Sequence, residues 1–219
     1  LINNKVYLFF AVGLFIITMV LNFPFPHNIP YSEAVISVLN IPIRSANGFH
    51  YVGITTLLFL FAGLYFLAKS LKKYRVRSIL IAVIFILVFP QFLVIAYQKT
   101  VAAGIYAISY EQDTSICRFN KTGENTLRGM CELTFKNHSK NDVSFDIIFY
   151  EHYPFEEDIP MVSLMNSGAP FETKLKGKER KRIKLETDID LSKMKSRIDG
   201  GEANSVNVII RQGEKSRNL

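Results

Sequence analysis

Apolar residues fill three long runs in the first half of the chain and fall at alternate positions in the second. The runs cover residues 6–23, 51–68 and 78–97, each 18–20 residues long. A spanning helix needs about 20 apolar residues, with a range of about 17–25, so the pattern predicts three transmembrane helices. None of the runs contains Asp, Glu, Lys, Arg or His. Ion and proton pathways leave an ionisable group inside the membrane, so a coupled pump or transporter built from this chain alone is not expected. Thr18, Asn22, Thr55, Thr56 and Gln91 are the polar exceptions. The threonines are expected to bond their own helix backbone. Gln91 follows Pro90, where a kink is expected and the amide is assigned to a freed backbone group or a neighbouring helix.

The linkers between the runs differ. Residues 69–77 hold Lys69, Lys72, Lys73, Arg75 and Arg77 with no acid. By the positive-inside rule this loop is cytoplasmic, and so is the N-terminus with Lys5. Residues 24–49 and everything after Tyr97 then lie outside. Within 24–49, prolines bracket residues 32–40, which predict a short interfacial helix capped by Ser32 with Val35, Val38 and Leu39 on one stripe. The first run lacks a small-x-small cleavage site and is expected to be retained as an anchor. Residues 101–108 are too short to span, and are expected to extend the third helix or lead into the first strand.

From about residue 110 the pattern becomes that of an antiparallel β module. Leu127, Gly129, Cys131, Leu133 and Phe135 share one face, and Val143, Phe145, Ile147 and Phe149 share another. The polar cluster 137–142 predicts a hairpin between these two strands. Further strands are expected over 161–165, 171–175, 180–186 and 205–211, with a turn at Gly177 and one short helix over 188–199, capped by Asp190 and stopped by Gly200-Gly201. Cys117 and Cys131 lie symmetrically about residue 124, so a hairpin turning there sets them opposite one another as a disulfide. The fold class is a three-helix membrane region, 1–109, followed by an immunoglobulin-like antiparallel sandwich, 110–219. The likeness is in strand number and length alone, because the chain has no Trp and no Cys…Trp…Cys signature.

Charge sharpens this division. Residues 1–109 carry eight basic residues and one acid, whereas residues 110–219 carry eighteen of each. The net charge of +7 therefore belongs to the membrane half, and no nucleic-acid footprint is expected. Both cysteines fall outside the membrane, in a compartment where disulfides persist.

Candidate sites are sparse. His152, Glu156 and Asp158 supply metal-type ligands without a known spacing. Lys174, Lys176, Lys178, Arg180, Lys181, Arg182 and Lys184 form a basic run that either guards an exposed strand edge or meets an anionic surface. Asn120-Lys121-Thr122 and Asn137-His138-Ser139 are glycosylation triplets in expected turns. No hydrolase, zinc-protease or phosphate-loop motif occurs, so no cofactor is assigned and catalysis is not the leading expectation. The expected role is that of a multi-pass cell-membrane protein. Its outer domain would bind a protein partner or envelope ligand as an accessory, sensor or assembly subunit. The alternative is a membrane enzyme or transport-complex subunit with a site between the first outside loop and the outer domain.

Overall fold

Helix and sheet segregate along the chain as the hydrophobic pattern does. A computed structural model describes residues 2–27, 29–38, 50–151, 161–192 and 200–219. The chain divides into two units, Leu1–Ala96 and Tyr97–Leu219.

The first unit contains α1 (Lys5–Leu21), α2 (Tyr31–Val38), α3 (Tyr51–Ser70) and most of α4 (Arg75–Thr100). Both α3 and α4 are long and apolar enough to cross a membrane, while α1 is apolar but shorter, at 17 residues. Asn4 caps α1 by accepting from the Val6 and Tyr7 amides. Thr18, Thr55 and Thr56 each donate to a carbonyl of their own helix, as does Asn22. Their polar groups are therefore satisfied inside the helix. The α4 helix runs unbroken through Pro90, and Gln91 is exposed. α1 packs on α3 at Gly63, where a Cβ would press to 2.7 Å from the Phe15 ring. Near the 71–74 connection all three long helices meet: Ala11, Leu67 and Leu71 are buried, with Leu8, Phe15, Ile79 and Ala82 against them.

The α2 helix forms where the Ser32 cap was expected, but Ser32 lies within it and donates its hydroxyl to the Leu21 carbonyl at 2.6 Å. The bond pins α2 to the end of α1. Val35 is exposed, and Leu39 and Asn40 lie outside the described residues.

The second unit holds nine strands among the described residues, in two antiparallel sheets. They are β1 (Ile108–Tyr110), β2 (Ile116–Lys121), β3 (Thr126–Asn137), β4 (Val143–Phe149), β5 (Phe171–Leu175), β6 (Arg180–Asp190), β7 (Gly200–Asn204), β8 (Val208–Gln212) and β9 (Lys215–Asn218). In the first sheet β6 pairs with β3 from Thr126 to Lys136, so β1 and β2 share the opposite edge of β3, and β7 lies beyond β2. The second sheet runs β5-β4-β8-β9. The expected inward faces of β3 and β4 are buried, and residues from both sheets form one core. Phe135 of the first sheet meets Phe145 of the second edge-on at 5.5 Å.

Three expectations change. β3 and β4 do not form a hairpin: both edges of β3 are occupied, and residues 138–142 carry the chain to the other sheet. Asn137 fixes this crossing, donating to the Asn141 and Lys176 carbonyls and accepting from the Ser139 amide and hydroxyl. Residues 162–168 form a 3₁₀ helix instead of a strand, with Val162 and Met165 buried three residues apart as that helix requires. The helix expected over 188–199 is strand up to Asp190, Gly200-Gly201 opens β7 instead of stopping a helix, and 193–199 lie outside the described residues. β8 starts at Val208, later than expected, because Ser115 holds the preceding turn by accepting from the Val206 amide.

Residues 101–108 lead into the β unit through a 3₁₀ turn at Gly104–Ala107. Gln98 donates to the Tyr106 and Ile108 carbonyls, and the buried Arg217 donates to those of Ile105 and Ile108 at 2.7 Å. Burial lowers the Arg217 guanidinium to about 10, which leaves it charged at neutral pH.

Candidate functional site: two outer faces and an apolar cleft

The outward side chains of the first sheet are charged, and most are answered by a neighbour. Arg180 grips Glu111 with two bonds of 2.7 and 2.6 Å, and Glu132 sits between Arg182 and Lys184 at 3.2 and 3.3 Å. Arg128 pairs with Asp188 at 2.9 Å and Arg118 with Glu202 at 3.4 Å. The Arg180 bonds hold the Glu111 carboxyl below its ordinary range, and Arg128 does the same for Asp188. Cross-strand register creates three of these pairs, Arg128–Asp188, Arg118–Glu202 and Glu132–Lys184, since opposed residues on neighbouring strands sit about 5 Å apart.

The basic run is therefore largely spoken for. Lys174 pairs with Asp142 at 3.0 Å, Lys178 donates its ammonium to the His138 carbonyl, and Arg180, Arg182 and Lys184 have the carboxylate partners above. Lys176 and Lys181 carry no ion pair among the described residues. β6 pairs on one side only, so this charged strand is a sheet edge. Such residues oppose pairing with another chain's strand.

The second sheet's outer face differs. Asp146 lies opposite Glu172 on β5 and opposite Arg211 on β8. Among the described residues none of these three has an ion-pair partner, and they line a shallow cleft of about 400 Å³ together with Lys174 and Gln212. Two carboxylates set directly opposite one another repel. A ligand cation placed between them, with its counter-charge on Arg211, relieves that repulsion.

In the helical unit an apolar cleft of about 540 Å³ opens between α1 and α4. Ile16, Met19 and Val20 form one wall and Phe89, Pro90 and Leu93 the other, while Phe23, Phe25 and Tyr31 close the end. The Tyr31 amide donates to the Phe23 carbonyl at 3.0 Å and holds this end in place. Close by in the chain, Glu33 is buried and accepts from His50 Nε2 at 3.1 Å, while His50 Nδ1 accepts from the Gly53 amide and caps α3.

Other expected residues are placed as follows. Cys117 and Cys131 face each other across β2 and β3 with Cα atoms 4.1 Å apart and sulfurs at bonding distance, in the register expected. Of the topology residues, Lys69 lies over the Tyr65 ring in the last turn of α3. Lys72 and Lys73 sit in the connection, and Arg75 and Arg77 in the first turn of α4. Ile2 bridges to Leu71, so the start of the chain lies beside this basic connection. The Asn137 triplet is no glycosylation acceptor in the folded domain, because Asn137 is fully buried and its amide is engaged; Asn120 is exposed on β2. His152, Glu156 and Asp158 lie outside the described residues, and Glu151 caps the 162–168 helix by accepting from the Val162 and Ser163 amides. No cluster of three or more His, Cys, Asp or Glu side chains forms among the described residues.

A Ser–His pair, unremarked in the sequence, links Ser109 Oγ and His138 Nε2 at 2.9 Å. Burial first, then Lys136, Lys99 and Lys178, lowers the imidazole below its ordinary value. Among the described residues no carboxylate orients its other nitrogen, as a nucleophile–base–acid set requires. The pair joins β1 to the start of the sheet crossing. No protein-family model, curated protein or solved structure matches the chain.

Proposed function

We propose that the chain is a multi-pass protein of the cell membrane that presents an immunoglobulin-like β-sandwich outside the cytoplasm, where it binds a protein partner in an accessory, sensor or assembly role. α1, α3 and α4 each cross the bilayer in this reading. The 17 residues of α1 meet the lower limit for a span. The basic connection between α3 and α4 supports a cytoplasmic N-terminus, and the Cys117–Cys131 pair supports an oxidising compartment for the β unit.

One observation carries the binding role. Charges on the first sheet are mostly paired within the domain, while Asp146, Glu172 and Arg211 on the second sheet are not. Charges of both signs that make no ion pair with one another and are gathered in a cleft suit a partner segment that sets a Lys or Arg beside an acidic residue, and such complementarity confers specificity. In-cell crosslinking with a photoreactive residue at Ser144, exposed on the same face of β4 as Asp146 and part of the cleft lining, tests this. A discrete adduct is expected, lost on Asp146→Lys with Glu172→Lys and retained on Lys184→Glu of the opposite face. An adduct that survives the double reversal, or recovery of the chain alone, refutes the binding role.

A further inference from the structure

We infer that the cleft between α1 and α4 is a lipid site that takes one hydrocarbon chain of a membrane amphiphile. The inference rests on the proposed reading of α1, α3 and α4 as membrane spans. The helices are not splayed along their whole length. At the basic connection Ala11, Leu67, Leu71, Ile79 and Ala82 close them into one cluster. Farther along, α1 and α4 leave about 540 Å³ between them, and Phe23, Phe25 and Tyr31 roof the space. The cleft thus lies between that cluster and this aromatic end.

Its volume and lining decide the occupant. A helix with its side chains is about 10–12 Å across and rises about 1.5 Å per residue, so this space holds only about one helical turn. A partner helix does not fit within it whole. The volume lies in the range of about 300–1,000 Å³ typical of small-ligand pockets. Apart from the Tyr31 hydroxyl, the lining side chains offer no polar group, so a polar ligand entering here would forfeit its hydrogen bonds to water. A flexible apolar chain meets no such penalty. Tyr31, itself half exposed at the aromatic end, sets its phenol where the chain's polar head would emerge.

Photo-crosslinking of the full chain in nanodiscs, using phosphatidylcholine with a diazirine in its acyl chain, tests the site. Adducts mapped by mass spectrometry are expected on Met19, Val20 and Leu93 at several times the yield on Leu80 and Leu87, which face outward on α4. Val20→Phe with Leu93→Phe fills the cleft. It should cut the yield on Met19 at least about fivefold and leave Leu80 and Leu87 unchanged. If that variant does not fold, Ile16→Phe alone serves the same comparison. Equal yields at all these positions, or cleft adducts indifferent to filling, overturn the lipid site but leave the spans standing. No adducts on Leu80 or Leu87 either would overturn the membrane reading itself.

Discussion

The two units treat the same kinds of residue in opposite ways. In the β unit Leu133, Phe135, Ile147 and Ile210 are wholly buried, whereas in the helical unit Phe9 is 77% exposed and Leu87 67% exposed. A water-soluble fold with that much apolar surface would associate or precipitate. In a bilayer the same surface faces hydrocarbon and costs nothing. In the proposed membrane reading, one chain is folded for two solvents. That reading also implies that truncating an apolar side chain has opposite consequences on either side of residue 97.

The largest expected effect breaks the comparison directly. Phe135→Ala removes a ring stacked on Tyr110 and packed edge-on to Phe145, and should destabilise the β unit by about 3–5 kcal/mol. Leu87→Ala should leave melting of the purified protein within about 0.5 kcal/mol of wild type, since surface substitutions away from special features change little. Calorimetry of the two variants in the same detergent decides it. A loss on Leu87→Ala as large as that on Phe135→Ala would mean that α4 lies in a protein core.

The next effect belongs to the disulfide. Closing the 117–131 loop stabilises by about 3 kcal/mol in the chain-entropy model. Cys117→Ser with Cys131→Ser should therefore lower the melting temperature of the β unit by roughly 12–24 °C, taking about 4–8 °C per kcal/mol for a domain near this size. The helical unit should not respond. A matching fall in helix melting would show that the units share stability.

The smallest effect is a pH slope confined to the β unit. The folded state holds His138 below its ordinary value, so as pH falls through about 6.5 the unfolded chain takes up a proton first. Stability is lost over the interval from the ordinary imidazole value down to the folded one, and is flat above it. His138→Gln should remove this slope in thermal melts between pH 7 and pH 5. A slope unchanged in the variant would assign it to another group. At lower pH the stability that Glu111 gains from Arg180 is lost in turn, as the pH falls through and below the usual carboxylate range.

The legible parts of the fold were those in which period and symmetry act locally. β3, β4 and β5 follow strict alternation, and the Cys117–Cys131 register follows from a turn centred on residue 124. The β3–β4 connection was not legible, because a polar cluster looks the same whether the chain turns within a sheet or crosses to another. Asn137 settles it through bonds to residues almost 40 positions away. Met161–Met165 misled because a run of apolar residues fits several periods, and only burial of Val162 with Met165 reveals a 3₁₀ turn. The basic run stood out in the sequence because its charges are consecutive, yet most of it is paired. Asp146, Glu172 and Arg211 did not stand out, since strand register alone brings them together.

The division into two solvents is tested most directly by the sidedness of two engineered thiols. The native cysteines are buried and paired, so a single added cysteine reports alone. Glu124→Cys lies in the exposed β2–β3 turn and Lys72→Cys in the basic connection. In intact cells a membrane-impermeant maleimide should label Glu124→Cys and reach Lys72→Cys only after permeabilisation. Labelling of Lys72→Cys from outside, with Glu124→Cys protected until permeabilisation, would contradict the account.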